Sequence, residues 1–418
     1  MRINLNEILY AVSFGLDSVE HELTGTKMGH SKRVTALAVM TGKALGLSDK
    51  ELIDLAAYSI LHDHAYTEVN QEELEYKRYN NGEGYAKRDF DIRHCIIGES
   101  NTKYVPFRTN NRDVILLHHE NADGSGPFGK TSQRTPIKAQ LIHMADLIEQ
   151  EFELNMSDTN TLGGILYFVK SNTGTLFSHE VADAFTKNFK QKQLSQLTFS
   201  NIDTYLRKVI KNYDDEYSFS EVRNLATLLA RIVDFKSHYT CRHSIGVAEN
   251  AESLALCYQF PEDKTTKFYL AGALHDIGKL MIPNAILQKP ARLDEYEYEQ
   301  MKNHAYYTYD ILRKIKGMDD IMIWASHHHE KLDGSGYPFG LTADQLSIEE
   351  RMMTCADIYQ ALTEERSYKE GFEHSKAIAI MRDMAMKGEI DYNVVNNVDM
   401  IFSRRGTFRD AATTVLNS

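Results

Sequence analysis

The sequence predicts an all-α protein made of two tandem helical domains. A pattern of histidines and aspartates occurs twice at nearly constant spacing, and apolar residues recur at helical intervals. Ile137, Leu141, Ala145 and Ile148, for example, form one face of a helix that also presents Asp146. Only seven prolines interrupt 418 residues, and no run of alternating apolar residues indicates a set of strands. Helices are therefore expected throughout.

The repeated pattern contains five histidines and two aspartates in each half of the chain. The first set is His30, His62, Asp63, His94, His118, His119 and Asp146, and the second is His243, His275, Asp276, His304, His328, His329 and Asp357. Partners are separated by 210 to 213 residues. So small a drift over half a chain indicates a duplicated domain.

The repeat sets the expected domain organisation. We predict a first domain at 1–195, a connector at 196–218, a second domain at 219–405 and a C-terminal tail at 406–418. The segment 190–215 is polar and lacks glycine and proline, but it carries regularly placed apolar residues. It therefore predicts a helical connector rather than a flexible linker.

Composition and charge exclude several classes of partner. The net charge of −12 argues against nonspecific binding to DNA, RNA or acidic lipid. No run of 18 apolar residues predicts a membrane span, and the first residues contain no long apolar stretch of a secretory signal. The four cysteines have no CxxC spacing, which is typical of buried thiols in a reducing compartment. A cytoplasmic enzyme is expected.

The repeated residue types predict divalent-metal binding. A single histidine is more often a core or surface residue than a ligand, but the ordered repetition of the whole set favours metal. Imidazole and carboxylate together suit iron, manganese or zinc. A shared aspartate suits two ions held side by side.

The C-terminal half resembles an HD-GYP domain, the class of the HD superfamily that hydrolyses cyclic dinucleotides. Three segments carry the resemblance over about residues 220–400. They are His275-Asp276-Ile277-Gly278-Lys279, then His328-His329-Glu330-Lys331-Leu332-Asp333-Gly334-Ser335-Gly336-Tyr337-Pro338, and Ala356-Asp357 with Ala361-Leu362-Thr363 and Arg366-Ser367-Tyr368-Lys369. The N-terminal half, about residues 5–195, resembles a degenerate copy of the same domain.

The resemblance implies a role for each of these residues. Asp276 would bridge two metal ions, with His243, His275 and Asp357 on one ion and His304, His328 and His329 on the other. Lys279 would be a general acid or would stabilise the oxyanion, and Arg366 and Lys369 would clamp phosphate. Without the metal motif, these two basic residues would be interpreted as solvated surface. Some family members use a glutamate four residues before the first histidine for a third ion, but Tyr239 stands there, which favours two ions.

The N-terminal copy departs from the motif at the residues that handle anions. Tyr66 stands at the position of Lys279, and Asn155 stands at the position of Arg366. Pro127 stands at the position of Tyr337, the tyrosine of the Gly336-Tyr337-Pro338 motif that gives the HD-GYP family its name. The seven ligand positions are nevertheless retained, so we expect a second metal-capable site with a regulatory or structural role.

The expected function is hydrolysis of a cyclic dinucleotide to a linear dinucleotide. The tandem arrangement resembles phosphodiesterases for 3',3'-cGAMP, which favours that substrate, with c-di-GMP as the alternative. Two other hypotheses stay open: a non-catalytic scaffold that binds nucleotides or partner proteins, and a nucleotidase acting on ordinary nucleotides. The resemblance also implies a diguanylate-cyclase-type partner at the Gly334–Pro338 loop, and a homodimer is one alternative for the oligomeric state.

Overall fold

The computed structural model describes residues 1–79, 87–109, 111–155, 158–210, 215–236, 242–365 and 370–403. These residues divide into two compact units, one of Arg2–Asp215 and the other of Glu216 onward with Met1. The regular secondary structure of the described residues is almost entirely helical, so the all-α prediction is confirmed. In the described part of the chain, no helix is both long and apolar enough to cross a membrane.

The N-terminal unit is a bundle of ten helices within its described residues. Its elements are β1 (Arg2–Ile3), α1 (Leu5–Thr24), α2 (His30–Ala44), α3 (Asp49–Leu61), α4 (Tyr66–Tyr79), α5 (Lys87–Asn101), a 3-10 helix (Thr102–Tyr104), α6 (Ile137–Glu151), α7 (Thr159–Ser171), α8 (His179–Asn188), α9 (Gln191–Leu194), α10 (Ile202–Val209) and β2 (Asp215–Glu216). The two short strands pair with each other.

Helix α2 lies at the centre of the N-terminal unit. It packs against α3, α6, α8 and α10, and its residues from Val34 to Val39 are almost completely buried. The predicted apolar face of α6 is present, because Leu141, Ala145 and Ile148 are buried in the same core. Burial of these apolar faces holds helices α2 and α6 together and thereby sets the spacing of the polar residues they carry.

The segment predicted as a connector packs into the N-terminal unit. Leu194, Leu197, Ile202, Leu206 and Ile210 belong to its hydrophobic core. The boundary between the two units falls between Asp215 and Glu216, and α10 of this segment packs against α2 within the first unit.

The C-terminal unit repeats the arrangement of helices around the ligand positions. Its elements are α11 (Phe219–Lys236), α12 (His243–Cys257), α13 (Glu262–Leu274), a 3-10 helix (Ile277–Met281), α14 (Asn284–Leu287), α15 (Glu295–Leu312), α16 (Asp319–Ser326), α17 (Ile348–Thr363) and α18 (His374–Met386), followed by a helical segment at 392–403. Helix α12 packs against α13 and α17, as α2 packs against α3 and α6.

Two of the three cysteines in the described part of the chain are buried. Cys95 and Cys355 are buried thiols as expected, but Cys257 is partly exposed near the C-terminal end of α12 and corrects that prediction. Cys241, Tyr239, and the segment 366–369 with Arg366 and Lys369 lie outside the described residues.

Candidate metal centres

The C-terminal pocket collects its side chains from helix ends and helix faces. His243 begins α12, His275 follows the last residue of α13, and His304 and Asp357 lie within α15 and α17. His328 and His329 follow His327, the residue that caps the C-terminal end of α16. Residues separated by up to 114 positions thus meet in one buried pocket. Its potential ligands form three groups of three, of which two contain His275 and the third contains His304.

The carboxylate of Asp276 lies between two groups of imidazoles. Its Oδ2 atom is 3.2 Å from Nε2 of His275 and 3.9 Å from Nε2 of His243. Its Oδ1 atom is 3.4 Å from Nε2 of His304 and 3.9 Å from Nε2 of His328. One oxygen therefore faces each group, which is the arrangement that a carboxylate shared by two ions requires.

Asp357 lies next to the first of these groups, which contains His243 and His275. Its Oδ1 atom is 3.3 Å from Nε2 of His243 and 3.7 Å from Nε2 of His275. Its Oδ2 atom is 3.9 Å from Nδ1 of His329. Burial alone would raise the pKa of Asp357, but the hydrogen bond with His243 and the charge of His275 lower it, so the group is a carboxylate.

Backbone carbonyls orient three of the histidines toward the pocket. The Nδ1 atoms of His275, His304 and His328 each lie 2.7 Å from a carbonyl oxygen one turn earlier, on Gly272, Met301 and Ala325. Each Nδ1–H donates to that oxygen, which leaves the Nε2 lone pair directed into the pocket. Burial lowers the pKa of His304 to about 3, so its imidazole is neutral and able to bind a metal.

Glu364 holds the fourth histidine and was not anticipated from the sequence. Its Oε2 atom lies 2.9 Å from Nδ1 of His243 and accepts a hydrogen bond from it. Burial lowers the pKa of His243, but hydrogen bonds to Asp357 and Glu364 raise it to about 10. A carboxylate behind a ligating histidine fixes the ring and raises its basicity. No motif marks Glu364, because its partner is 121 residues away in sequence.

We expect Glu364→Gln to weaken divalent-metal binding in the C-terminal pocket by roughly 10- to 100-fold, because the glutamine amide is a weaker hydrogen-bond partner than a carboxylate for Nδ1 of His243. Titration of the metal-free protein with Mn²⁺ measures the effect. Glu365→Gln is the matched control, since it removes the same charge one residue later. Equal loss in both variants would indicate a general charge effect and not a specific hydrogen bond.

Lys279 lies close to Asp276 in the described structure. Its Nζ atom is 2.5 Å from Oδ2 of Asp276, and the lysine side chain is 14% exposed. Helix α13 ends before His275, and Lys279 belongs to the following 3-10 helix. The change of helix type brings the ammonium group to the edge of the pocket beside the carboxylate.

A buried glutamate holds the backbone of the loop that contains Gly336-Tyr337-Pro338. Glu330 accepts hydrogen bonds from the backbone N–H groups of Phe339 and Leu341, at 2.7 and 2.9 Å. Gly336 is required sterically, since a Cβ there would lie 2.3 Å from the backbone nitrogen of Lys331. Tyr337 consequently packs on the ring of His329, with 4.7 Å between ring centroids. The loop thus forms one wall of the pocket.

The N-terminal pocket repeats this geometry. Asp63 Oδ2 is 3.3 Å from Nε2 of His62, and Asp63 Oδ1 is 3.2 and 3.3 Å from Nε2 of His94 and His118. Asp146 completes the pocket with Oδ1 3.4 Å from Nε2 of His30 and Oδ2 3.9 Å from Nδ1 of His119. All seven predicted ligand positions therefore meet in one pocket.

The surroundings of the two pockets differ. Tyr66, at the position of Lys279, is buried with its ring on His94 at a centroid distance of 4.4 Å. Asn155, at the position of Arg366, is exposed. Cys95 Sγ lies 3.5 Å from Nε2 of His94, where the C-terminal copy has Ala305. No positive side chain replaces Lys279 at the equivalent position.

The donor sets of both pockets suit divalent cations. In the N-terminal pocket, Asp63 Oδ1, Asp146 Oδ2 and His118 Nε2 are buried and have no partner in hydrogen-bond geometry among the described residues. Buried polar atoms of this kind are normally satisfied by a partner or an ion. In the C-terminal pocket, imidazoles surround the two carboxylates of Asp276 and Asp357. Imidazole and carboxylate donors suit iron, manganese or zinc.

Comparisons with known proteins identify the same two regions. Family models described as HD domain match residues 224–394 and residues 28–151. The chain is 28% identical to a 3'3'-cGAMP-specific phosphodiesterase of Vibrio cholerae over 94% of this chain and 90% of the relative. It is 35% identical to a cyclic di-GMP phosphodiesterase of Pseudomonas aeruginosa over 40% of this chain and 41% of that relative.

A solved structure shares the fold. The crystal structure of a cyclic GMP-AMP specific phosphodiesterase of V. cholerae aligns with a TM-score of 0.61 and 22% identity, covering 96% of this chain and 98% of that one. The similarity extends over both units.

Proposed function

Because this chain belongs to the HD-domain family, with one HD domain in each unit, we propose that it is a metal-dependent phosphodiesterase that hydrolyses a cyclic dinucleotide. The observation that carries the proposal is the position of Asp276, whose two oxygens face separate groups of histidines. Lys279 lies beside it, and the family resemblance assigns Arg366 and Lys369 to a phosphate clamp. The non-catalytic scaffold is disfavoured by these cations.

The two ions of the C-terminal pocket would be held by His243, His275 and Asp357 on one side and by His304, His328 and His329 on the other. When bound, they supply activated water and a clamp for phosphate oxygens. Asp276 orients both groups through its two oxygens. Lys279 is placed to hold a proton or a positive charge at Nζ next to the reacting phosphate. Iron and manganese suit this donor set.

We propose 3',3'-cGAMP as the preferred substrate and c-di-GMP as the alternative. The support comes from relatives, since two proteins named for 3'3'-cGAMP match 94% and 82% of this chain. The Pseudomonas relative named for cyclic di-GMP matches only 40%. We also propose a diguanylate-cyclase-type partner at the Gly334–Pro338 loop, a homodimer and a cytoplasmic location.

The experiment is an assay of the purified, Mn²⁺-loaded protein against 3',3'-cGAMP, c-di-GMP and c-di-AMP, with products separated by chromatography. We expect a linear dinucleotide, formed fastest from 3',3'-cGAMP. A protein that holds metal and binds one of these nucleotides without cleaving it would support the scaffold hypothesis instead.

Arg366→Ala and Lys369→Ala are each expected to lower kcat/KM roughly tenfold or more while leaving bound metal unchanged. A charge-assisted contact to phosphate contributes about 1.5–3 kcal/mol, which sets that range. Lys387→Ala is the control, because Lys387 is an exposed lysine paired with Asp383 in the same unit. Unchanged kinetics in both variants would indicate that Arg366 and Lys369 are solvated surface residues that do not contact the substrate.

We propose that the N-terminal pocket binds metal without hydrolysing substrate. Its ligand positions are grouped as in the other unit, but Tyr66 and Asn155 bring no positive charge to a phosphodiester. Fixed cations supply a large part of the stabilisation of a developing phosphorane. The N-terminal unit would then stabilise or regulate the C-terminal one.

A further inference from the structure

A third carboxylate enters the N-terminal pocket from a helix that carries no predicted ligand. Glu20 lies on α1, and its side chain is 7% exposed. Its Oε1 atom lies 3.7 Å from Nε2 of His30. The same Nε2 atom is 3.4 Å from Oδ1 of Asp146 and 3.3 Å from Nε2 of His62. Glu20 therefore approaches the pocket on its His30 side, together with the ligand positions His62 and Asp146.

The other nitrogen of His30 is already engaged. Its Nδ1–H donates to Glu149 Oε2 at 2.6 Å, and Arg33 pairs with the second oxygen of Glu149. Arg33 thus balances the charge of Glu149 outside the pocket. The Nε2 atom of His30 is left for the pocket, at the point where Glu20 and Asp146 converge.

The side chains around this point favour a cation. Glu20, Asp63 and Asp146 bring three carboxylates, and the position of Lys279 is occupied by a tyrosine, Tyr66. Buried carboxylates need pairing with positive charge or coordination to metal. In the C-terminal pocket Lys279 instead pairs with one of two carboxylates. The two pockets are therefore charged differently although their seven predicted ligand positions are alike.

The C-terminal copy has no acidic residue at the sequence position that matches Glu20. Asp17 accepts a hydrogen bond at 3.0 Å from the backbone N–H of Ser31, and Asp234 accepts one at 3.2 Å from that of Ser244. Each serine follows the first histidine of its set, so α1 and α11 occupy equivalent places. Glu20 stands three residues after Asp17, whereas Ser237 stands three residues after Asp234, and residues 235–240 contain no acid.

We propose that Glu20 is a metal ligand of the N-terminal pocket, alongside His30, His62, Asp63 and Asp146. The inference rests on the proposed metal binding of that pocket. A carboxylate of the protein then takes a coordination position that a catalytic site keeps for water or substrate, which is the difference between closed structural and open catalytic sites. The added negative charge also opposes entry of a phosphodiester. Glu20 would thereby make the N-terminal site structural.

The test uses the full-length chain carrying His275→Ala and Asp276→Ala, so that bound Mn²⁺ reports mainly on the N-terminal pocket. In this background we expect Glu20→Gln to weaken Mn²⁺ affinity at least tenfold, measured by calorimetry and by metal content after dialysis. Glu22→Gln is the matched control, because Glu22 is exposed on the same helix. Removing metal with EDTA should lower Tm in the background protein and much less in Glu20→Gln.

An unchanged Mn²⁺ affinity in Glu20→Gln would overturn the ligand role. A background protein that binds no Mn²⁺ would overturn the N-terminal metal site itself, and hydrolysis by the unmodified protein is scored separately. If glutamine impairs folding, judged by circular dichroism, Glu20→Asp is compared with Glu20→Ala. The aspartate variant should bind Mn²⁺ more tightly, and equal affinities would contradict the inference.

Discussion

Replacing His275 and Asp276 by alanine is expected to abolish hydrolysis of cyclic dinucleotides. The double variant removes a ligand of the first group and the carboxylate that faces both groups of histidines. Two ions supply several kcal/mol of transition-state stabilisation, and each 1.36 kcal/mol changes the rate tenfold. We therefore expect a fall of at least roughly 1,000-fold, measured by chromatography of the linear product from Mn²⁺-loaded protein.

The matched control is the same pair of substitutions in the other copy. His62→Ala with Asp63→Ala removes the equivalent side chains of the N-terminal pocket and is expected to reduce hydrolysis only partly. Metal content distinguishes the two, since each variant should lose ions from its own pocket. An inactive N-terminal variant beside an active C-terminal one would reverse the assignment of the active site.

Lys279→Met is expected to lower kcat by about 100-fold or more while the C-terminal metals stay bound. The ammonium group lies at the edge of the pocket, 2.5 Å from Asp276, where it can donate a proton or stabilise charge on phosphate. General acid catalysis contributes about 10²- to 10⁴-fold. Measurement of kcat, KM and metal content of the same preparations separates lost chemistry from lost metal.

Lys279→Arg is the control for this substitution, because it keeps the charge while changing the geometry and the ability to release a proton. Recovery of most activity by arginine would indicate charge stabilisation, and failure to recover would indicate proton transfer. A normal kcat in Lys279→Met would show that Lys279 takes no part in the reaction.

The helical class, the duplication and the candidate ligand positions can be read from the sequence alone. Apolar residues at helical spacing, as in α6, record which face must be buried. Histidines and aspartates that repeat at 210–213 residues record a constraint that chance would not preserve twice. The motif around His275 and that around His328 are contiguous in sequence and were therefore visible without a structure.

The side chains that support the candidate ligands, and the end of the first unit, become apparent only in the folded structure, because they depend on contacts between helices. Glu364, Glu149 and Glu20 reach histidines that lie 121, 119 and 10 residues away, so no local spacing marks them among the 59 acidic residues of the chain. The segment predicted as a connector carries the apolar spacing of any amphipathic helix. Whether such a helix bridges two domains or packs on one of them depends on the surface that buries its apolar face, and here α10 packs on α2 within the first unit.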